Sequence, residues 1–133
     1  MRVYLDTVIV IYLVEGLPSF QSRAQDHLAA LTAAGHRVAV SDLTRLECRI
    51  KPVRLRDAAL LADFDTFLDA GTVAKVPLTS AVYDLATHIR AVHRFGLADS
   101  LHLAAALESG CGAFLTNDAR LARFPDLPVQ VLA

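Results

Sequence analysis

Apolar residues along this chain fall into short runs that alternate with longer stretches of helical spacing. Val3–Leu5, Arg37–Val40, Ala74–Val76, Ala113–Leu115 and Val129–Leu132 are brief, apolar and often β-branched, with Gly or Pro nearby, and are expected as strands. Between them lie the expected helices: Val8–Val14, Pro18–Ala34, Asp42–Ile50, Leu55–Ala70, Ser80–Phe95, Leu97–Ser109 and Ala119–Arg123. Several boundaries carry a physical reason. Gly35 can take a positive φ after the second helix. Ser41 and Thr79 are placed as N-caps, and Pro52 is expected to stop the third helix. Gly96 divides two helical patterns, and Gly110 ends the later one. Strands separated by helices imply βα units, hence an α/β fold with a mainly parallel sheet of four or five strands and helices on both faces. Short central strands such as Ala113–Leu115 read as buried on both sides.

Four acids interrupt this pattern where apolar residues would be expected: Asp6, Glu47, Asp99 and Asp118. Asp6 ends the first strand, at the sheet edge where ligands bind in open α/β folds. Leu43, Leu46 and Ile50 are expected to form the apolar face of the third helix, and Glu47 shares that face by spacing. Asp99 falls in line with Leu103 and Ala106, with small residues behind it. Asp118 follows the fourth strand. Each has a local alternative. Asp6 can cap the helix beginning near Val8, Glu47 can pair with Lys51 four residues later, and Asp99 is a first-turn acid favourable to the helix dipole. Asp118 can open a short helix with Asn117 as its cap. As a set they point elsewhere, because buried carboxylates repel one another and raise each other's pKa. A divalent cation removes that conflict, and hard oxygen ligands suit Mg²⁺ or Mn²⁺.

Other chemistry is thinner. His102, three residues after Asp99, is within reach of the same site, although an ordinary polar helix histidine is the plainer reading. His27, His36, His88 and His93 show no ligand spacing. There is no G-x-S-x-G, P-loop or G-x-G-x-x-G, which leaves nucleophilic hydrolase and dinucleotide readings unsupported. Arg45, Arg49, Lys51, Arg54 and Arg56 surround Glu47 and could bind a backbone phosphate, or simply form a solvated helix end.

Composition adds bounds. The 133 residues suit one domain, residues 1–133. Hydrophobic residues make up 54% and mean hydropathy is +0.41, so some apolar surface is expected to need a partner. Net charge is −1, which gives no global basic footprint for nucleic acid. Yet of the 13 basic residues only Lys51 and Lys75 are lysines, and arginine suits bidentate phosphate contacts. Cys48 and Cys111 are far apart and read as reduced thiols of a cytoplasmic protein. Asp6 and Glu15 interrupt the N-terminal apolar segment, so no secretory signal or membrane span is expected.

With these residues assembled, the sequence resembles the PIN-domain ribonucleases, in particular VapC-type toxins of toxin–antitoxin pairs. The resemblance rests on Tyr4-Leu5-Asp6-Thr7, on Ser41-Asp42-Leu43-Thr44-Arg45-Leu46-Glu47, on the run from Leu97-Ala98-Asp99 through His102 to Ala106, and on Phe114-Leu115-Thr116-Asn117-Asp118. The order and spacing of the four acids follow the family's pattern over the full length. The family often has Ser or Asn two residues after its first acid; this chain has Val8, with Thr7 and Thr116 as hydroxyl candidates. The resemblance implies a three-layer α/β/α sandwich. It further implies an Mg²⁺- or Mn²⁺-dependent endoribonuclease whose metal is held by Asp6, Glu47, Asp99 and Asp118, directly or through water. RNA as substrate, a small antitoxin protein as inhibitor and a homodimer are implied as well. Two rivals remain. One is a PIN-like module with a degenerate site that only binds partners. The other is a haloacid-dehalogenase-like phosphatase built on Asp6, Ser41, Lys75 and Asp118, which lacks the needed second Asp because that position is Val8.

Overall fold

The computed structural model describes residues 1–132. Its element order is β1 (Arg2–Leu5), α1 (Thr7–Glu15), α2 (Pro18–Ala33), β2 (Arg37–Val40), α3 (Asp42–Arg54), α4 (Ala58–Leu68), β3 (Val73–Lys75), α5 (Ser80–His93), α6 (Leu97–Glu108), β4 (Ala113–Thr116), a 3₁₀ turn (Ala119–Arg123) and β5 (Val129–Val131). The five strands are all parallel, in the order β3-β2-β1-β4-β5.

Strand alternation sorts the core into two layers. Side chains in a strand point to opposite faces in turn. Tyr4, Ala39 and Phe114 therefore pack on one face with Val82 and Ile89 of α5 and Leu103–Ala106 of α6. Val3, Leu5, Val40, Ala113 and Leu115 pack on the other with Ile9 and Val10 of α1, Leu31 of α2, Cys48 of α3 and Phe64 of α4. The result is the expected three-layer α/β/α sandwich. The central strands are buried on both sides: Val3, Tyr4, Leu5, Phe114 and Leu115 have no exposed surface. Small side chains at Ala104, Ala105 and Ala106, all fully buried, let α6 pack closely against its neighbours.

The chain builds β1, β2 and β3 outward in one direction, then crosses through α5 and α6 to place β4 on the other side of β1. This reversal puts a crevice beyond the carboxyl ends of β1 and β4, the usual ligand site of an open parallel sheet. Register aligns Leu5 with Leu115. The Asp6 amide continues the ladder by donating to the Leu115 carbonyl at 2.9 Å.

Two boundaries differ from expectation. Pro52 does not stop α3, which runs on to Arg54 with the proline ring buried. Proline removes a single helical donor, and here that loss falls one turn from the end, where Leu55 N–H still bonds the Lys51 carbonyl at 3.0 Å. The break comes instead at Arg56, whose φ is +54°, and Asp57 then caps α4 through the Leu60 amide at 3.0 Å. The expected helix from Leu55 therefore begins at Ala58. At the other end of the chain, Ala119–Arg123 is a 3₁₀ turn and not an α-helix. Gly35 takes the positive φ expected of it, +83°. Thr79 caps α5 through the Val82 amide at 3.3 Å.

Candidate active site

Asp6 stands just past β1, at the crevice. Its Oδ1 accepts from the Thr7 amide at 2.9 Å, which starts α1. Its Oδ2 accepts from the Thr116 hydroxyl at 2.7 Å. Capping and site placement are thus the same contact for Asp6, not alternatives. Thr116 Oγ1 also accepts from the Asp118 amide at 3.0 Å, so one hydroxyl ties the ends of β1 and β4 together.

Glu47 reaches the same crevice from α3, for a reason other than the apolar spacing suggests. Leu46 and Ile50 are 59% and 51% exposed, and the buried face of the helix carries Thr44, Cys48 and Pro52. Glu47 flanks that buried face. Lys51, its spacing partner, pairs with Glu15 at 2.6 Å instead. Glu47 Oε1 accepts from the Thr7 hydroxyl at 2.8 Å and meets His102 Nε2 at 2.5 Å. Burial acts to raise the Glu47 pKa, but the hydrogen bond and charge of His102, aided by Thr7, hold it below the usual carboxylate range. The neighbouring Cys48 thiol is pushed up to about 12 by burial and by the Glu47 and Glu15 charges, which keeps it in the unreactive protonated form.

Asp99 sits in the first turn of α6. Burial raises its pKa first, and the charges of Asp6 and Asp118 raise it further against opposition from His102 and Arg120. Asp6, Asp99 and Asp118 therefore lie within one electrostatic field. Asp118 is itself the cap of the 3₁₀ turn, accepting from the Arg120 amide at 3.0 Å; Asn117 does not cap, and bonds the Tyr12 hydroxyl at 2.7 Å. The Arg120 guanidinium grips both Asp118 oxygens, at 3.0 Å to Oδ1 and 2.6 Å to Oδ2, and holds that carboxyl below its ordinary range.

Sequence reasoning underrated His102. It is 1% exposed and links Glu47 to the Tyr4 hydroxyl, 2.6 Å from its Nδ1. Tyr4 in turn meets Ser41 Oγ at 2.7 Å. A polar residue three positions after an acid, amid Leu and Ala, was the available signal. The two hydroxyls named as stand-ins for the Val8 position, Thr7 and Thr116, each donate to a candidate acid.

Two members of the basic run around Glu47, Arg45 and Arg49, are spent on α4 and its C-cap. Arg45 lies 3.3 Å from Asp69, Arg49 lies 3.2 Å from Asp65, and Lys75 also pairs with Asp69 at 3.2 Å. Lys75 is thus engaged away from Asp6, and Ser41 serves Tyr4, so the phosphatase arrangement is not assembled.

The donor set of four carboxylates and two hydroxyls is hard oxygen, which fits Mg²⁺ or Mn²⁺. The mutual repulsion felt by Asp99 is the imbalance such a cation offsets. Among the described residues no three His, Cys, Asp or Glu side chains already stand in ion-holding geometry, and both Asp118 oxygens are engaged by Arg120.

A fully parallel five-stranded sheet with a crevice at its switch point defines an open α/β architecture. The chain belongs to the PIN-domain family, whose model matches residues 3–127. Among curated proteins no relative matches the sequence. Its fold is similar to VapBC2 from Rickettsia felis, solved bound to a promoter DNA fragment, with TM-score 0.83, 18% identity and full coverage of both chains. A toxin–antitoxin complex from Klebsiella pneumoniae has TM-score 0.74 at 20% identity, with 98% of each chain covered. VapC20 of Mycobacterium tuberculosis, a sarcin–ricin-loop-cleaving toxin, has TM-score 0.71 at 15% identity over 95% of this chain and 98% of its own. At these identities the likeness speaks to fold.

Proposed function

We propose that the protein is a metal-dependent endoribonuclease and the toxin of a toxin–antitoxin pair, with Asp6, Glu47, Asp99 and Asp118 holding Mg²⁺ or Mn²⁺. The observation that carries this reading is the pair of threonines at the carboxyl edge of the sheet: Thr7 bonds both Asp6 and Glu47, and Thr116 bonds Asp6 and the Asp118 amide. Membership of the PIN family supports nuclease chemistry, and the toxin-like fold supports the pairing with an antitoxin. When bound, the cation would acidify a water and stabilise charge on the scissile phosphate. The chain's own groups do the rest. Thr7 and Thr116 fix Asp6, Thr7 and His102 fix Glu47, and one of the four acids orients the attacking water. In-line attack on the phosphodiester leaves a 5′-phosphate and a 3′-hydroxyl.

Incubation with a mixed RNA pool tests the proposal. Cleavage is expected with Mg²⁺ or Mn²⁺, with 5′-phosphate ends, and is expected to stop with EDTA. Cleavage that survives EDTA would place the chemistry elsewhere. A second reading, a degenerate partner-binding module, draws on the Arg120–Asp118 pair, which covers one acid. Tight antitoxin binding with no cleavage in either metal would favour it.

The surplus apolar surface supports two partners. α1 and α4 have little apolar surface to spare: Val8, Ile11, Leu13 and Val14 of α1, with Leu60 and Phe67 of α4, pack against the core. Exposed apolar residues lie instead on α3, where Leu46, Ile50 and Val53 form a stripe, each more than half exposed. We assign the antitoxin's apolar segment to this stripe. A groove of about 490 Å³ between α5 and α6, lined by Tyr83, Ala86, Leu97 and Leu101, is assigned to a second copy. An antitoxin Arg or Lys would then reach the acids, as Arg120 already does with Asp118. Ile50→Glu is expected to weaken antitoxin binding by at least about tenfold, since it places an unpaired charge against an apolar segment. Calorimetric titration checks this, and nuclease activity should be retained. Undiminished affinity would move the antitoxin off α3.

A further inference from the structure

Three buried polar side chains stand in a row behind Glu47, and the chemistry above calls on only one of them. Ser41 is 3% exposed, His102 1% and Tyr4 not at all. Buried polar groups are costly unless hydrogen-bonded, and these bond one another in sequence. Ser41 Oγ lies 2.7 Å from the Tyr4 hydroxyl, that hydroxyl 2.6 Å from His102 Nδ1, and His102 Nε2 2.5 Å from Glu47 Oε1. The end of the row sets its direction. A carboxylate can only accept, so Nε2 carries the hydrogen toward Glu47. Nδ1 meets the Tyr4 hydroxyl, which in turn meets Ser41 Oγ, so both ring nitrogens are engaged. The ring plane is held further by Tyr4, which stacks on Phe114 with centroids 5.4 Å apart.

The row engages one oxygen of the carboxylate. Thr7 and His102 both meet Glu47 Oε1, and among the described residues no hydrogen bond reaches Oε2. A glutamate side chain has several free torsions, and two contacts on a single oxygen remove most of that freedom. Oε2 is left without a hydrogen-bond partner among the described residues. This is the arrangement by which outer groups orient a metal-binding carboxylate.

We propose that His102, itself oriented by Tyr4, is a positioning residue that sets the free oxygen of Glu47 toward the divalent cation and thereby determines how tightly the ion is held. The inference rests on the metal-dependent reading above and adds residues that contact neither ion nor RNA.

Mn²⁺ binding by calorimetry, read beside thermal melting in EDTA, tests it on the full chain. His102→Leu is expected to weaken Mn²⁺ binding about 10- to 100-fold. His102→Gln, whose side-chain amide can donate from near the Nε2 position, is expected to recover most of that loss. Tyr4→Phe, which deletes one oxygen, is expected to weaken binding by a smaller but measurable factor. A histidine that merely supports the fold would shift melting and leave the affinity of the folded protein at the wild-type value. Wild-type affinity in folded His102→Leu would overturn the proposal. Should His102→Leu fail to fold, wild-type affinity in Tyr4→Phe would overturn it equally. Absence of Mn²⁺ binding by the wild type would sink the metal-dependent reading itself, and this inference with it.

Discussion

Asp99→Asn should lower RNA cleavage by about 10²- to 10³-fold, the scale seen when one preorganised electrostatic group is lost from an active site. The substitution removes charge with little change of volume, so packing of α6 survives. Of the four acids Asp99 is the cleanest to change. Asp6 caps α1 and receives Thr116, Asp118 caps the 3₁₀ turn and holds Arg120, and Glu47 engages Thr7 and His102. Altering any of those disturbs structure as well as charge. Asp99 instead resists ionisation through burial and the Asp6 and Asp118 charges. Asparagine relieves that conflict and gives up a favourable first-turn charge worth about 0.3–1 kcal/mol. Because the net shift of Asp99 is upward, the melting temperature in EDTA should be no lower than wild type. In Mn²⁺ the order should reverse, since the wild type gains more from the ion. Full activity in Asp99→Asn, with EDTA still inhibiting, would remove Asp99 from the site.

Phe114→Ala should destabilise the fold by about 3–5 kcal/mol, the usual cost of emptying a fully buried aromatic position. Phe114 lies in β4, beside the central strand, with no exposed surface. It packs with α5 and α6 on one face of the sheet and stacks on Tyr4. The backbone on both sides is pinned in parallel ladders. The cavity therefore cannot collapse easily. Urea denaturation followed by circular dichroism measures the change, with the slope of the transition unaltered. A loss under about 1 kcal/mol would mean that the site relaxes far more than close packing allows. Loosening of Tyr4 should also carry over to His102.

Much of this architecture was legible in the sequence because burial and polarity leave simple marks. Brief strands buried on both faces read as short apolar runs, and acids just past them marked the carboxyl edge of the sheet. Asp6 and Asp118 were visible for that reason. Glu47 was singled out through mistaken packing, because an apolar stripe on α3 was taken for core when Leu46 and Ile50 face outward. Spacing alone cannot say which side of a helix meets the sheet, and here the inward side is made of Thr44, Cys48 and Pro52. Pro52 misled for a related reason: a proline near a helix end loses one bond, and burial of its ring offsets that loss. His102 was undervalued because its partners, Tyr4 and Glu47, are distant in sequence. Hydrogen bonds that span 98 and 55 residues leave no local pattern.

The pairing of the first strand with the fourth has a consequence for synthesis. Thr116 reaches Asp6 across 110 residues of chain. Ribosomes deliver the amino end first, so Asp6, Glu47 and Asp99 all emerge before the strand that completes their surroundings. Until Ala113–Thr116 is out, β1 has only β2 beside it, the crevice has one wall, and Asp6 lacks the hydroxyl that orients it. Such long-range pairing is slow to form. A nascent chain still attached to the ribosome thus carries three of the four acids without the edge that organises them. On the proposed nuclease reading, the timing of translation itself would keep the growing polypeptide harmless to the RNA around it.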